Sequence, residues 1–107
     1  MTVGITNGNA AGIYVIEVSL TPAEVATIVT VEQDFTVTGL KVGDAVTVNP
    51  PGITAGASIV NSRVKAADTL SIQFTNPTAG NVTPLAGTHR IVIYRPEGGA
   101  SNAIISD

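Results

Sequence analysis

Leu70-Ser71-Ile72-Gln73-Phe74-Thr75 places three apolar side chains at every second position and three polar ones between them. That period of two is the mark of a strand with one face buried and one face wet, and this run is the cleanest in the chain. Asn76-Pro77-Thr78-Ala79-Gly80-Asn81 ends it through the turn chemistry of its Asn, Pro and Gly residues. On the other side, Ala66-Ala67-Asp68 connects it to Ser58-Ile59-Val60-Asn61-Ser62-Arg63-Val64, where Val60 and Val64 take even positions and Asn61, Arg63 and Lys65 odd ones. A second strand with one polar face is expected there.

Working outward, Val46 and Val48 alternate with Thr47 between Gly43-Asp44 and Asn49-Pro50-Pro51-Gly52, and proline, lacking an N–H, ends the strand or confines it to an edge. Val25, Val29, Val31, Phe35 and Val37 form an odd-numbered stripe. Thr21-Pro22-Ala23-Glu24 has the form of a helix start. The β-branched run after it argues instead for a corner at Thr21-Pro22 followed by strand. Tyr14, Ile16, Val18 and Leu20 share one face of a further strand that carries Glu17 and Ser19 on the other. Near the C-terminus Ile91 and Ile93 point one way and Arg90, Val92 and Tyr94 the other, before Pro96 stops the run.

About seven short strands, delimited by turns and with no helix beyond a turn, predict an all-β chain. The expected architecture is a single antiparallel β-sandwich, Ig-like or jelly-roll-like, over residues 13–96. Residues 1–12 are expected as a flexible arm. Residues 97–107 are expected as a flexible tail carrying Ile104 and Ile105, an apolar pair that needs somewhere to dock.

Composition agrees. Val, Ile and Thr supply 39 of 107 residues, types that suit a pleated sheet better than a helix. Charged residues are 12% against the ~25% of an ordinary soluble domain, while 44% are hydrophobic, so apolar patches are expected at contact surfaces with other chains. A net charge of −3 with five scattered cations offers no basic face for phosphates, and nucleic-acid binding is not expected. The absence of cysteine removes disulfides, thiolate metal sites and cysteine nucleophiles, and is compatible with a reducing cytosol. No positive n-region precedes Lys41, so no secretory signal is read, and the apolar run from Ala10 is stopped by Glu17 well short of the ~20 residues that span a bilayer.

A search for chemistry finds little. His89 is the one imidazole, and without a nucleophile elbow or an orienting acid at short range it reads as a partly exposed strand-end residue. Asp34, Asp44 and Asp68 lack the spacing of an oxygen-ligand loop; Asp44 and Asp68 read as turn residues bonded to local backbone. Glu17, Glu24 and Glu32 read as solvated strand-face carboxylates rather than a glycosidase pair. The chain is therefore read as a non-enzyme with no cofactor and no metal. Arg63, Lys65, Arg90 and Arg95 would form a cationic edge if their two strands are neighbours. That edge would serve either to guard against aggregation or, with Ile104 and Ile105, as a partner interface.

Phe35-Thr36-Val37-Thr38-Gly39-Leu40-Lys41-Val42-Gly43-Asp44-Ala45-Val46-Thr47-Val48-Asn49-Pro50-Pro51, with the run from Ser62 through Ala66-Ala67-Asp68-Thr69-Leu70 to Thr78, resembles small structural proteins of tailed bacteriophage virions. Thr21-Pro22-Ala23-Glu24-Val25-Ala26 and the later Pro84, Gly87 and Thr88 fit the same pattern, which covers roughly 75 residues but neither terminus. The resemblance implies a capsid decoration, or cement, protein. Such a subunit is made in the host cytoplasm, is commonly a trimer, and sits on the outer capsid surface against the major capsid protein. The alternative is a carbohydrate- or receptor-binding module of a phage tail, fibre or surface protein, for which only Tyr14, Phe35, Phe74 and Tyr94 are available as sugar platforms.

Overall fold

The computed structural model describes residues 10–96 and contains six strands. They are β1 (Ala10–Leu20), β2 (Val29–Thr36), β3 (Ala45–Asn49), β4 (Ser58–Ala66), β5 (Thr69–Asn76) and β6 (Gly87–Pro96). They form two antiparallel sheets of three, in the orders β1-β6-β3 and β2-β5-β4. The sheets face each other across one core built from Leu20, Val25, Val37, Leu40, Leu70, Ile72, Phe74, Ile91 and Ile93. The all-β expectation is met, with six strands rather than about seven and no helix among the described residues.

The alternation read in the sequence fixes which residues enter that core. In β6 the inward set is His89, Ile91 and Ile93; in β5 it is Leu70, Ile72, Phe74 and Asn76, all buried. Tyr14, Ile16, Val18 and Leu20 of β1 lie in register with Ile93, Ile91, His89 and Gly87, so they share the inward face of their sheet. Val29, Val31, Gln33 and Phe35 of β2 oppose Asn76, Phe74, Ile72 and Leu70 in the same sense.

Several expectations are corrected. β1 begins at Ala10, so the first three residues of the strand fall in the segment expected as an arm. The residues expected as strand from Val25 are not part of β2: Val25 makes an isolated bridge with Val82, and pairing resumes only at Val29. Between the two the chain turns at Thr27-Ile28, where Ile28 takes a φ of 51° in place of the extended backbone of a strand. In β4 the register shifts between Ile59 and Asn61, so Ile59 and not Val60 joins Val64 against the core, and Val60 is left exposed. A bulge adds a residue that no period count can foresee.

Two polar clusters lock the loops. The fully buried Asn76 amide donates to Val25 O at 3.0 Å and Gly80 O at 2.9 Å, while its oxygen accepts from Thr78 N at 2.9 Å. At the far end, Asp44 closes a turn by accepting from Lys41 N at 2.9 Å, with Gly43 at φ 99° supplying the left-handed residue. The Asp68 carboxylate accepts from Gly39 N at 2.8 Å, tying the β4–β5 turn to the β2–β3 connection rather than to its own backbone neighbours.

Candidate interaction surface

The two sheets present opposite chemistry to solvent. On β2-β5-β4 the outward residues are Glu32, Asp34, Arg63, Ser71 and Gln73, brought together by register. Arg63 grips Glu32 with two bonds of 2.7 and 2.8 Å, and Lys65 reaches Asp34 at 3.0 Å, with Ser71 Oγ donating to the same carboxylate. The Arg63 bond holds the Glu32 carboxyl below its usual range; the Ser71 hydroxyl, then Lys65, do the same for Asp34. This face is charged, self-satisfied and suited to water.

On β1-β6-β3 the outward residues run differently. Ile13 pairs with Tyr94 and Val15 with Val92 across one seam, while Ala45 pairs with Tyr94 and Thr47 with Val92 across the other. Ile13, Val15 and Tyr94 are 63%, 59% and 47% exposed, so half of this face is a continuous apolar patch. Its other half is polar, with Glu17 and Arg90 paired at 2.9 Å. The patch lies on the sheet opposite the one whose charges are already paired, and exposed apolar patches rimmed by polar residues are a general mark of interaction surfaces.

The four cations singled out from the sequence are not brought together. β4 and β6 lie in different sheets, so Arg63 and Lys65 sit on one side of the molecule and Arg90 on the other. Arg95 points inward at the sheet end and binds Asp44 through bonds of 2.9 and 2.8 Å, donates to Gly39 O at 2.8 Å, and lies 5.2 Å from the Tyr14 ring centre. That guanidinium pushes the Asp44 carboxyl down, helped by the Lys41 N–H. The cationic edge is thus replaced by four ion pairs, one per cation, because each strand brings a carboxylate into reach. Ile104 and Ile105 lie outside the described residues.

His89 is 1% exposed rather than partly exposed, since its position in β6 is an inward one. Its Nδ1 lies 2.9 Å from Gly87 O, and its ring borders a cleft of about 290 Å³ between the sheets, flanked by Val48, Ile59, Phe74, Pro84 and Leu85. No carboxylate or hydroxyl nucleophile lines that cleft beside it other than Thr54 and Ser58. Neither is bonded to the imidazole, so the base–nucleophile contact that acyl transfer needs is not formed. Among the described residues no group of three or more His, Asp or Glu is placed to hold a metal ion.

Two of the four aromatics, Phe74 and Phe35, pack in or against the core, while Tyr14 and Tyr94 stay partly exposed. The patch around Tyr94 was missed by sequence reasoning, because Ile13 and Val15 were taken one strand at a time. The signal present was the apolar pair on the nominally polar face of that strand.

Comparison with protein-family models, with curated proteins and with solved structures finds no match to this chain.

Proposed function

We propose that the chain is a structural subunit of a tailed-bacteriophage virion, a decoration protein that lies on the outer capsid surface and braces neighbouring copies of the major capsid protein. The observation that carries this reading is the apolar patch of Ile13, Val15, Tyr94 and Val92 opposite a sheet face whose charges are all paired. One side is made for contact and the other for solvent. The sequence resemblance to small virion proteins supplies the class of partner.

The strand order supports the same reading. An eight-stranded jelly roll, a fold common in viral capsid proteins and lectins, has sheets ordered 1-8-3-6 and 2-7-4-5. Removing its fifth and sixth strands and renumbering yields β1-β6-β3 and β2-β5-β4, the orders found here. We therefore read the fold as a reduced jelly roll rather than an Ig-like sandwich. This is an analogy of architecture, and the functional weight stays on the surface.

Each decoration contact needs only modest energy, since binding to the assembled shell stabilises it across many copies by mass action. The test is add-back to shells that lack the protein, scored by co-sedimentation and by the temperature at which shells release their genome. Wild-type chain is expected to sediment with shells and raise that temperature. Val15→Lys is expected to stay folded and remain in the supernatant, whereas Lys65→Gln, on the opposite face, is expected to bind as wild type. Shells equally heat-resistant with and without bound protein would refute the bracing role. Saturable glycan binding without capsid binding would replace it with the receptor-binding alternative.

A further inference from the structure

An antiparallel sheet leaves unpaired N–H and C=O groups along each outer strand, and proteins that remain monomeric blunt such edges with short strands, bulges, proline or charge. Three of the four edges here are blunted. β3 has five residues and runs into Pro50-Pro51. β4 carries two register shifts and the side chains of Arg63 and Lys65. β2 carries Glu32 and Asp34 outward, and its Gln33 side chain holds the Ala23 backbone through bonds of 2.8 and 2.9 Å.

β1 is different. It is the longest strand, at eleven residues, its only irregularity lies between Ala10 and Gly12, and Glu17 is its one charge, already paired with Arg90. No described strand pairs with its outer edge.

We infer that this edge pairs with β1 of a second copy, antiparallel across a two-fold axis at Tyr14. The sequence of the strand selects that register. Residues facing each other across two strands of one sheet point to the same side, so the axis must fall on a residue. With the axis at Tyr14, Ile13 faces Val15 of the second copy and Val15 faces its Ile13, apolar against apolar on the outer face. Moving the axis to Val15 sets Glu17 against Ile13, moving it to Ile16 sets Glu17 against Val15, and moving it to Glu17 sets two carboxylates against each other. Among these four arrangements only the first pairs Ile13 with Val15 in both directions and moves Glu17 off both of them, to Ala11 beside the irregularity at the start of the strand.

The consequence is a continuous six-stranded sheet. Its outer surface carries an unbroken apolar row from Tyr94 through Ile13 to Val15 and Val92 of the second copy, and a symmetric row beside it. The two contact patches become one. This inference concerns the edge and stands apart from capsid binding, which uses the face.

The test exploits a chain with no cysteine. Directly opposed cross-strand positions have Cβ atoms about 4.5–5.5 Å apart, against about 7–8 Å for diagonal ones. The exposed pair Ile13→Cys/Val15→Cys, oxidised in the full chain at low micromolar concentration, is expected to yield a covalent dimer on a non-reducing gel. Either single variant is expected to cross-link at least tenfold less. Light scattering of the wild-type chain is expected to give twice its 10.8 kDa mass. A monomer, or three times that mass, overturns the inference, and so does a dimer in which the double variant fails to cross-link. Solution mass and cross-linking are read without shells, and co-sedimentation of the wild-type chain is read without reference to its mass, so the two readings fail separately.

Discussion

At the residue scale, stability is concentrated in a few buried polar contacts. Asn76 bonds three backbone groups from the fully buried end of β5. Asn76→Ala removes one donor from each of two carbonyls, which keep Val82 N and Thr78 Oγ1, and it leaves Thr78 N without its acceptor. A loss of about 3 kcal/mol in denaturant unfolding is expected. Ile28 is the converse case, a β-branched residue at φ 51° with its side chain in solvent. Replacing it by Asn, which tolerates the left-handed region, is expected to raise stability by about 1 kcal/mol. Acid sensitivity follows from Asp44, Glu32 and Asp34, whose folded values all lie below their ordinary ones. Their contribution is complete above roughly pH 5.5, where the unfolded groups are ionised, declines as pH falls through the unfolded values and is lost below the lower folded ones. Thermal midpoints are expected to be level from pH 7 to about 5.5 and to fall below 4, with a shallower fall in Asp44→Asn. The Asp44–Arg95 pair was not legible in the sequence, because its partners are 51 residues apart and only the fold puts them at one sheet end.

Elements were read more reliably than contacts. Leu70, Ile72 and Phe74 of β5 and Ile91 and Ile93 of β6 all point inward as their alternation predicts, since a one-residue slip would expose the entire set. β4 was read half correctly, its polar face sound and its inward residue displaced by a bulge. The stretch that follows the corner at Thr21-Pro22, up to Ile28, is not the strand its β-branched residues predict, because such composition reports what suits a sheet and not whether a partner strand is present. That segment is instead held by Gln33, an inward-facing amide on β2 that imitates a neighbouring strand for Ala23. Gln33→Ala is expected to cost about 1–2 kcal/mol and to speed proteolysis between residues 21 and 28, as read by mass spectrometry of the first cleavage products. An unchanged cleavage pattern would show that the buried Pro22 and Val25 hold the segment without it.

For the whole molecule, what the sequence could not disclose is pairing. The first and last strands lie side by side, with Ala10 opposite Pro96, and the contact patch exists only because of that meeting. Pairing across so many residues makes closure slow, so refolding is expected on the millisecond-to-second scale of non-local β topologies. A circular permutant linking residue 96 to residue 10 and opened in the exposed stretch after Pro50 turns this pair into a hairpin. It is expected to refold faster in stopped-flow measurements at similar stability. The position of β6 also sets a schedule during synthesis. The β2-β5-β4 sheet is complete once Asn76 has been made, but β1 and β3 have no strand between them until Pro96 follows. A nascent or prematurely ended chain can therefore complete its charged sheet but not the sheet that carries the Ile13, Val15 and Tyr94 patch, so that surface exists only on finished copies.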